Sequence, residues 1–184
     1  MATKKPAIFL DRDGVINDVI DRGGNCFVQG KKVRFTAPWR YQEFKLKRGI
    51  IEAMQRMRQL GYLVILATNQ PDITYGTMMP VEYAKIMADV RKLPWDDIFV
   101  CTHGRDDGCD CKKPKPGMLV AAARKHHIDL KKSFMVGDTK DDTCAGKAAG
   151  CMTVLISDDC NGREQTDFCV ADLEIFIEKI IMHK

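Results

Sequence analysis

Short apolar runs rich in β-favouring residues recur along the chain, separated by longer segments in which apolar residues return every three or four positions. Runs of strand length lie at Ala7 to Leu10, Tyr62 to Ala67, Ile98 to Cys101, Ser133 to Val136 and Met152 to Ile156. Helical spacing marks Ile50, Ile51, Met54, Met57 and Leu60, then Val81 to Leu93, Met118 to Lys125 and Thr143 to Ala149. Strands alternating with helices predict an α/β fold with a mainly parallel sheet and right-handed crossovers, its helices in two layers around the strands. Gly61 and Gly150 fall between a helix and the following strand, where a residue tolerant of positive φ stops a helix. Asp172 is placed to cap a last helix whose Leu173, Ile175, Phe176, Ile177, Ile180 and Ile181 would cover the sheet.

Residues 18–45 do not fit the alternation. They are rich in Gly, aromatic and basic residues and read as an insertion beside the first strand. Apart from that insertion, the 184 residues read as one domain, 1–184, with no internal repeat or linker. The composition, 45% hydrophobic and 29% charged, is that of a folded globular chain and not of a disordered one. No apolar run reaches the roughly 18–20 residues of a membrane span, and Met1 to Pro6 is a short basic leader without a signal-peptide stretch. A cytoplasmic monomer is expected. The net charge of +4 suits anionic metabolites without requiring nucleic acid.

In an open parallel sheet, ligands bind beyond the carboxyl ends of the strands, so the polar residues there carry the candidate chemistry. The first strand runs into Asp11-Arg12-Asp13-Gly14, the second into Thr68-Asn69-Gln70, and the fourth into Gly137-Asp138 with Asp141 and Asp142 behind; Lys112-Lys113 precede the third helix. Two carboxylates one residue apart can divide labour, one attacking phosphorus and the other donating a proton to the leaving oxygen. Such a pair alone also serves structural turns and simple cation sites. The combination is more specific, because phosphoryl transfer needs charge neutralised on several sides. Asp138 can join Asp11 in binding Mg²⁺, Lys113 supplies a second positive charge, and Thr68 offers a hydroxyl to the phosphoryl oxygens. Asp142 would hold metal waters or orient the lysine.

Cys101, His103, Cys109 and Cys111 place three thiols and one imidazole within eleven residues, a donor set for closed tetrahedral Zn²⁺. Such a site, over residues 101–111, would shape its loop and leave no position for water activation. Because Cys111 directly precedes Lys112 and Lys113, zinc would also aim those lysines. Cys26, Cys144, Cys151, Cys160 and Cys169 are scattered and read as unpaired core or loop thiols.

The motifs DRDGV, TNQ, the lysine of CKKP and GDTKDD occur in the order seen in the haloacid dehalogenase superfamily of phosphohydrolases, which the chain resembles over most of residues 7–157. The resemblance implies a Rossmann-like three-layer fold and an aspartyl-phosphate intermediate. It makes Asp11 the nucleophile, Asp13 the general acid and base, Thr68 and Lys113 the phosphoryl stabilisers, and Asp138 a magnesium ligand together with the backbone carbonyl of Asp13. The receiver domains, which accept phosphate on a similar fold, order their motifs differently. A general acid two residues after the nucleophile serves turnover, not storage of the acyl phosphate.

DRDGVIN together with the C-x-H…C-x-C-x-KP-x-PGM stretch resembles the capless, zinc-containing subgroup. Its members include phosphatases acting on D-glycero-D-manno-heptose 1,7-bisphosphate at the 7-phosphate and, as a more distant match, on histidinol phosphate. The resemblance implies no large cap domain, with residues 18–45 and the zinc loop as pocket walls. Asn69, Gln70 and Lys112 would then bind substrate, Lys112 standing where arginine is usual. The cationic side chains of the insertion could hold a second phosphate or form a solvated face. Two further readings stay open: a nucleic-acid 3′-phosphatase, for the aromatic residues Phe27, Phe35, Trp39 and Tyr41, and a zinc-stabilised binding protein without turnover.

Overall fold

The computed structural model describes residues 3–160 and 166–182; Met1 and Ala2 of the basic leader lie outside the described residues. Six strands form one sheet: β1 (Ala7–Leu10), β4 (Leu63–Asn69), β5 (Asp97–Cys101), β6 (Phe134–Gly137), β7 (Met152–Ile156) and β8 (Phe168–Val170). Their spatial order is β5-β4-β1-β6-β7-β8, and every pairing is parallel. The chain winds outward first through β4 and β5 and then, from the other side of β1, through β6, β7 and β8. The order therefore reverses between β1 and β6, the crevice where open α/β sheets place ligands. This is the three-layer, mainly parallel fold that the alternation predicts.

Period-two packing explains why the strands are apolar throughout. Ile8 and Leu10 of β1 face one layer while Ala7 and Phe9 face the other, and all four are fully buried. The first layer holds α1 (Ile50–Gln59) through Met54 and Met57, and α6 (Leu173–Phe176) through Leu173 and Phe176. Helix α6 continues as a π-helical segment, Ile177–Ile181, that buries Ile177, Ile180 and Ile181. Asp172 caps this terminal helix, accepting a hydrogen bond from the Ile175 N–H at 2.8 Å. The second layer holds α4 (Gly117–His126) through Met118, Leu119 and Ala122. Helix α3 (Pro80–Val90) covers Leu66 with Ile86, Met87 and Val90, and α5 (Lys140–Ala149) follows β6.

Several boundaries move. Strand β4 runs two residues beyond Ala67, because Thr68 and Asn69 still pair with Val100 and Cys101 of β5. The helix expected from Thr143 starts at Lys140, where Asp142 accepts hydrogen bonds from the N–H and hydroxyl of Thr139 and ties the first turn. The polar first turn hides this start from an apolar-spacing test. β8, only three residues long, has too little pattern to be read.

The insertion is an antiparallel hairpin, β2 (Ile20–Val28) with β3 (Lys31–Thr36), whose turn residues Gln29 and Gly30 both have positive φ, 49° and 71°. A 3-10 turn, Tyr41–Glu43, follows it. Arg22 grips the Glu43 carboxylate with two hydrogen bonds of 2.7 Å and lies over the Trp39 ring, 4.2 Å from its centroid. The Trp39 indole N–H donates to Asp72 Oδ1 at 3.0 Å, fastening the base of the hairpin to α2 (Asp72–Tyr75), just past β4.

The reading of Cys160 and Cys169 as unpaired thiols is corrected: a disulfide joins them, with Cα atoms 5.9 Å apart. Their proximity comes from the return of the chain after β7 to form β8, a tertiary event that spacing does not disclose. Among the described residues, no helix is long and apolar enough to cross a membrane.

Candidate active site

Asp11 emerges at the reversal point because β1 ends beside β6: the Asp11 N–H donates to the Val136 carbonyl at 2.9 Å. Leu10 pairs with Leu66 on one side and Val136 on the other, so the residues following β1 and β6 and the last residues of β4 share one edge. Carboxylate oxygens of Asp11, Asp138 and Asp142 lie within 4.8 Å of one another. Gly14 makes this approach possible. It has φ of +77°, and a Cβ there would overlap the Asp138 carboxylate. Gly137 does the same for Asp142, whose side chain occupies the space a Cβ would take.

Lys113 is the cation of the cluster and is 2% exposed. Its ammonium lies 3.0 Å from Asp11 Oδ1 and also contacts Asp142 Oδ1. Burial acts to lower the Lys113 pKa, but the charges of Asp11 and Asp142 outweigh it and hold the ammonium above its ordinary value. Burial pushes Asp11 up to about 6; Lys113 opposes the rise while Asp142 and Asp13 add to it. Asp138 is pushed further, to about 8, by burial and then by the charges of Asp11, Asp142 and Asp13. So many carboxylates in one crevice favour a cation.

These residues fit magnesium. Asp11 Oδ1 lies 3.0 Å from the Lys113 ammonium and, among the described residues, has no other polar partner, which leaves lone-pair capacity on a buried anionic oxygen for coordination. Asp142 is already engaged at both oxygens, by Lys113 at one and by Thr139 at the other. Asp142 thus bridges the Lys113 ammonium to the first turn of α5. Asp11 and Asp138 are the carboxylates with capacity to spare.

On the other side of Asp11, the Thr68 hydroxyl is fully buried at the end of β4. Gln70 Nε2 donates to Thr68 Oγ1 at 3.0 Å and to Asp13 Oδ2 at 2.8 Å, joining the two. Asn69 accepts from the Lys113 N–H and donates to the Lys113 carbonyl, both at 3.0 Å. Asn69 and Gln70, expected at the substrate, thus hold Lys113, Asp13 and Thr68. Lys112 turns the other way and donates to the His103 carbonyl at 3.1 Å.

Sequence reasoning passed over three polar residues here. Arg12 is fully buried and gives three hydrogen-bond contacts to Asp13. Asn17, also fully buried, donates to Asp13 Oδ1 at 3.0 Å. Lys47 contacts the Gly14 carbonyl. The signal available for Arg12 was its position between two candidate catalytic carboxylates.

Cys101, His103, Cys109 and Cys111 converge as their spacing suggests, with donor atoms within 4.8 Å of one another. Cys101 Sγ is 3.1 Å from Cys111 Sγ, 3.7 Å from Cys109 Sγ and 3.5 Å from His103 Nδ1. Zinc–thiolate bonds of about 2.3 Å in a tetrahedron require sulfur separations of about 3.8 Å; the Cys101–Cys109 pair meets this, the Cys101–Cys111 pair would have to open by roughly 0.7 Å, and the type of donor set, three thiols and an imidazole, fits zinc. Cys101 is the last residue of β5, and its carbonyl accepts from the Gln70 N–H at 2.7 Å, coupling this loop to the end of β4. Gly117 lets the loop close onto α4, since a Cβ there would strike the Asp110 carbonyl.

The HAD-hydrolase-like family model matches residues 110–174. The D-glycero-beta-D-manno-heptose-1,7-bisphosphate 7-phosphatase of Helicobacter pylori strain J99 is 35% identical over 153 residues, 79% of each chain. The Pasteurella multocida protein of the same name is 38% identical over 158 residues, covering 79% of this chain and 77% of its own. The crystal structure of D,D-heptose 1,7-bisphosphate phosphatase from B. bronchiseptica, complexed with magnesium and phosphate, superposes with a TM-score of 0.77 at 32% identity. That alignment spans 97% of this chain and 99% of the other. With its sheet order, its carboxylate cluster and these relatives in agreement, the chain belongs to the haloacid dehalogenase superfamily of phosphohydrolases, in the group of the heptose-1,7-bisphosphate 7-phosphatases.

Proposed function

We propose that this chain is a Mg²⁺-dependent phosphatase acting on a small sugar phosphate, with D-glycero-D-manno-heptose 1,7-bisphosphate as substrate and its 7-phosphate as the group removed. The observation that carries the reading is Lys113, buried and shared between Asp11 and Asp142 beside Asp138. A single ammonium among three carboxylates leaves negative charge that magnesium can neutralise, which in turn lets a phosphoryl dianion approach.

Asp11 and Asp138, with the backbone carbonyl of Asp13, would hold the metal. Magnesium would supply charge neutralisation for the incoming phosphoryl group. The Asp11 carboxylate attacks phosphorus while Lys113 and Thr68 take the phosphoryl oxygens. Asp13 protonates the departing sugar oxygen and then, as a base, takes a proton from the water that releases phosphate from Asp11. Asp142 acts through Lys113. Zinc at Cys101, His103, Cys109 and Cys111 would be structural, with no place in the reaction. By the family resemblance, the hairpin at residues 18–45 would wall the pocket for the rest of the sugar, and Lys112 would reach it by leaving the His103 carbonyl it now meets.

Phosphate release by the purified protein from a panel containing the heptose bisphosphate, histidinol phosphate and common sugar phosphates, with Mg²⁺ and Zn²⁺ present, tests the proposal. The heptose bisphosphate should give the highest kcat/KM. Preference for histidinol phosphate would replace the substrate, and no release at all would reject the phosphatase reading. Asp11→Asn should abolish release with the fold intact.

A further inference from the structure

The largest fully buried side chain among the described residues is a charged one, Arg12. Taking a guanidinium out of water is expensive unless its charge and donors are satisfied. At Arg12 most of that satisfaction comes from one residue. Nε donates to Asp13 Oδ1 at 3.1 Å, and Nη2 lies 2.9 Å from both Oδ1 and Oδ2. Among the described residues, the remaining end, Nη1, meets only the Met87 sulfur of α3, at 3.8 Å. No phosphate-facing role is left for this arginine.

From this geometry we infer that Arg12 is a positioning residue for Asp13, fixing the carboxyl from which the leaving sugar oxygen is protonated. The inference rests on the reaction proposed above. An aspartate side chain at a turn has free χ rotation, and a proton donor misplaced by an ångström loses much of its effect. The guanidinium is a planar fork that grips a carboxylate in one orientation, which a lysine ammonium cannot do. Packing against Met87 sets the fork itself. Asn17 and Gln70 then hold Asp13 from two further directions, at 3.0 and 2.8 Å.

In the first step the Asp11 oxygen bonds to phosphorus, the bond from phosphorus to the sugar oxygen breaks, and the Asp13 proton moves to that oxygen. A residue that serves only this proton transfer matters when the leaving group is a poor one. A sugar alkoxide needs the proton; p-nitrophenolate leaves without it. A merely structural Arg12 would affect both substrates alike.

The test is single-turnover release of alcohol from the sugar phosphate and of p-nitrophenol from p-nitrophenyl phosphate, with Mg²⁺ saturating, in the wild type, Arg12→Gln and Arg12→Lys. The sugar phosphate rate should fall about 100-fold in Arg12→Gln, and the aryl phosphate rate at least about ten times less than that. The enzyme concentration giving the half-maximal single-turnover rate should change little. Arg12→Lys retains the buried charge but not the fork, and should show the same selective loss if Arg12→Gln does not fold. Equal losses on both substrates, or full sugar phosphatase activity in a folded Arg12→Lys protein, would overturn the inference. Failure of the wild type to release phosphate from either substrate would instead reject the phosphatase reading beneath it.

Discussion

Asn69 and Lys113 are joined by a reciprocal pair of hydrogen bonds, amide to carbonyl and N–H to amide oxygen, each 3.0 Å long. The last residue of β4 therefore sets the backbone position of a lysine 44 residues away. Asn69→Ala should release that backbone and lower kcat/KM by roughly 10–100-fold, a range typical of residues that orient a catalytic group. Asn69→Asp can still accept from the Lys113 N–H but cannot donate to its carbonyl, and should fall between. Steady-state kinetics alongside thermal unfolding would check this; a large loss of Tm with unchanged kcat/KM would contradict it.

The loop proposed to hold zinc reaches Lys113, the proposed phosphoryl stabiliser, through Cys111, two residues before it. Removal of zinc by a chelator followed by return of saturating Mg²⁺ should lower phosphatase activity, and added Zn²⁺ should restore it. Cys109→Ser should act likewise. Metal content and activity measured on the same samples decide the matter: full activity in zinc-free protein would separate the loop from catalysis.

Gly14→Ala combines an unfavourable positive φ with a Cβ that overlaps the Asp138 carboxylate. Displacement of Asp138 should raise the Mg²⁺ concentration needed for half-maximal activity and lower the maximum by roughly 100-fold. A Mg²⁺ titration reads both; an unaltered curve would show that Asp138 can move without consequence.

Glu43 ties the base of the hairpin. The Arg22 guanidinium holds its carboxyl down at about 2; burial opposes the shift, and the N–H groups of Trp39 and Arg40 assist it. A depressed folded pKa means stability that is fully present above the ordinary glutamate value, near 4.5, and lost as pH falls toward about 2. Glu43→Gln should destabilise the protein by on the order of 1 kcal/mol at pH 7, for a two-pronged, partly screened pair. The gap from wild type should shrink between pH 4.5 and pH 2 in urea unfolding. A gap that does not depend on pH would assign the effect to packing.

Residue type and local order were enough to place the strands, the helices and the groups at the strand ends. Apolar runs of strand length and apolar spacing of helical period are local properties, and carboxylates after a strand face the ligand edge whatever else the fold does. The four candidate metal donors, Cys101, His103, Cys109 and Cys111, lie within eleven residues, so their convergence needs only one loop. Motif order did the remainder, marking Asp11, Asp13, Thr68, Lys113 and Asp138.

Tertiary structure decided what those groups are attached to. Arg12 turns inward and meets Met87, 75 residues later, and no local pattern distinguishes a buried arginine from a solvated one beside the same aspartate. The resemblance puts Asn69 and Gln70 at the substrate; that strand pairing through Asn69 and Cys101 also directs their amides to Lys113 and Asp13 is visible only in the fold. The Cys160–Cys169 bond depends on how the chain returns after β7. Residue chemistry thus names the candidates from the sequence, while the partners that hold them are set by contacts between segments far apart in the chain.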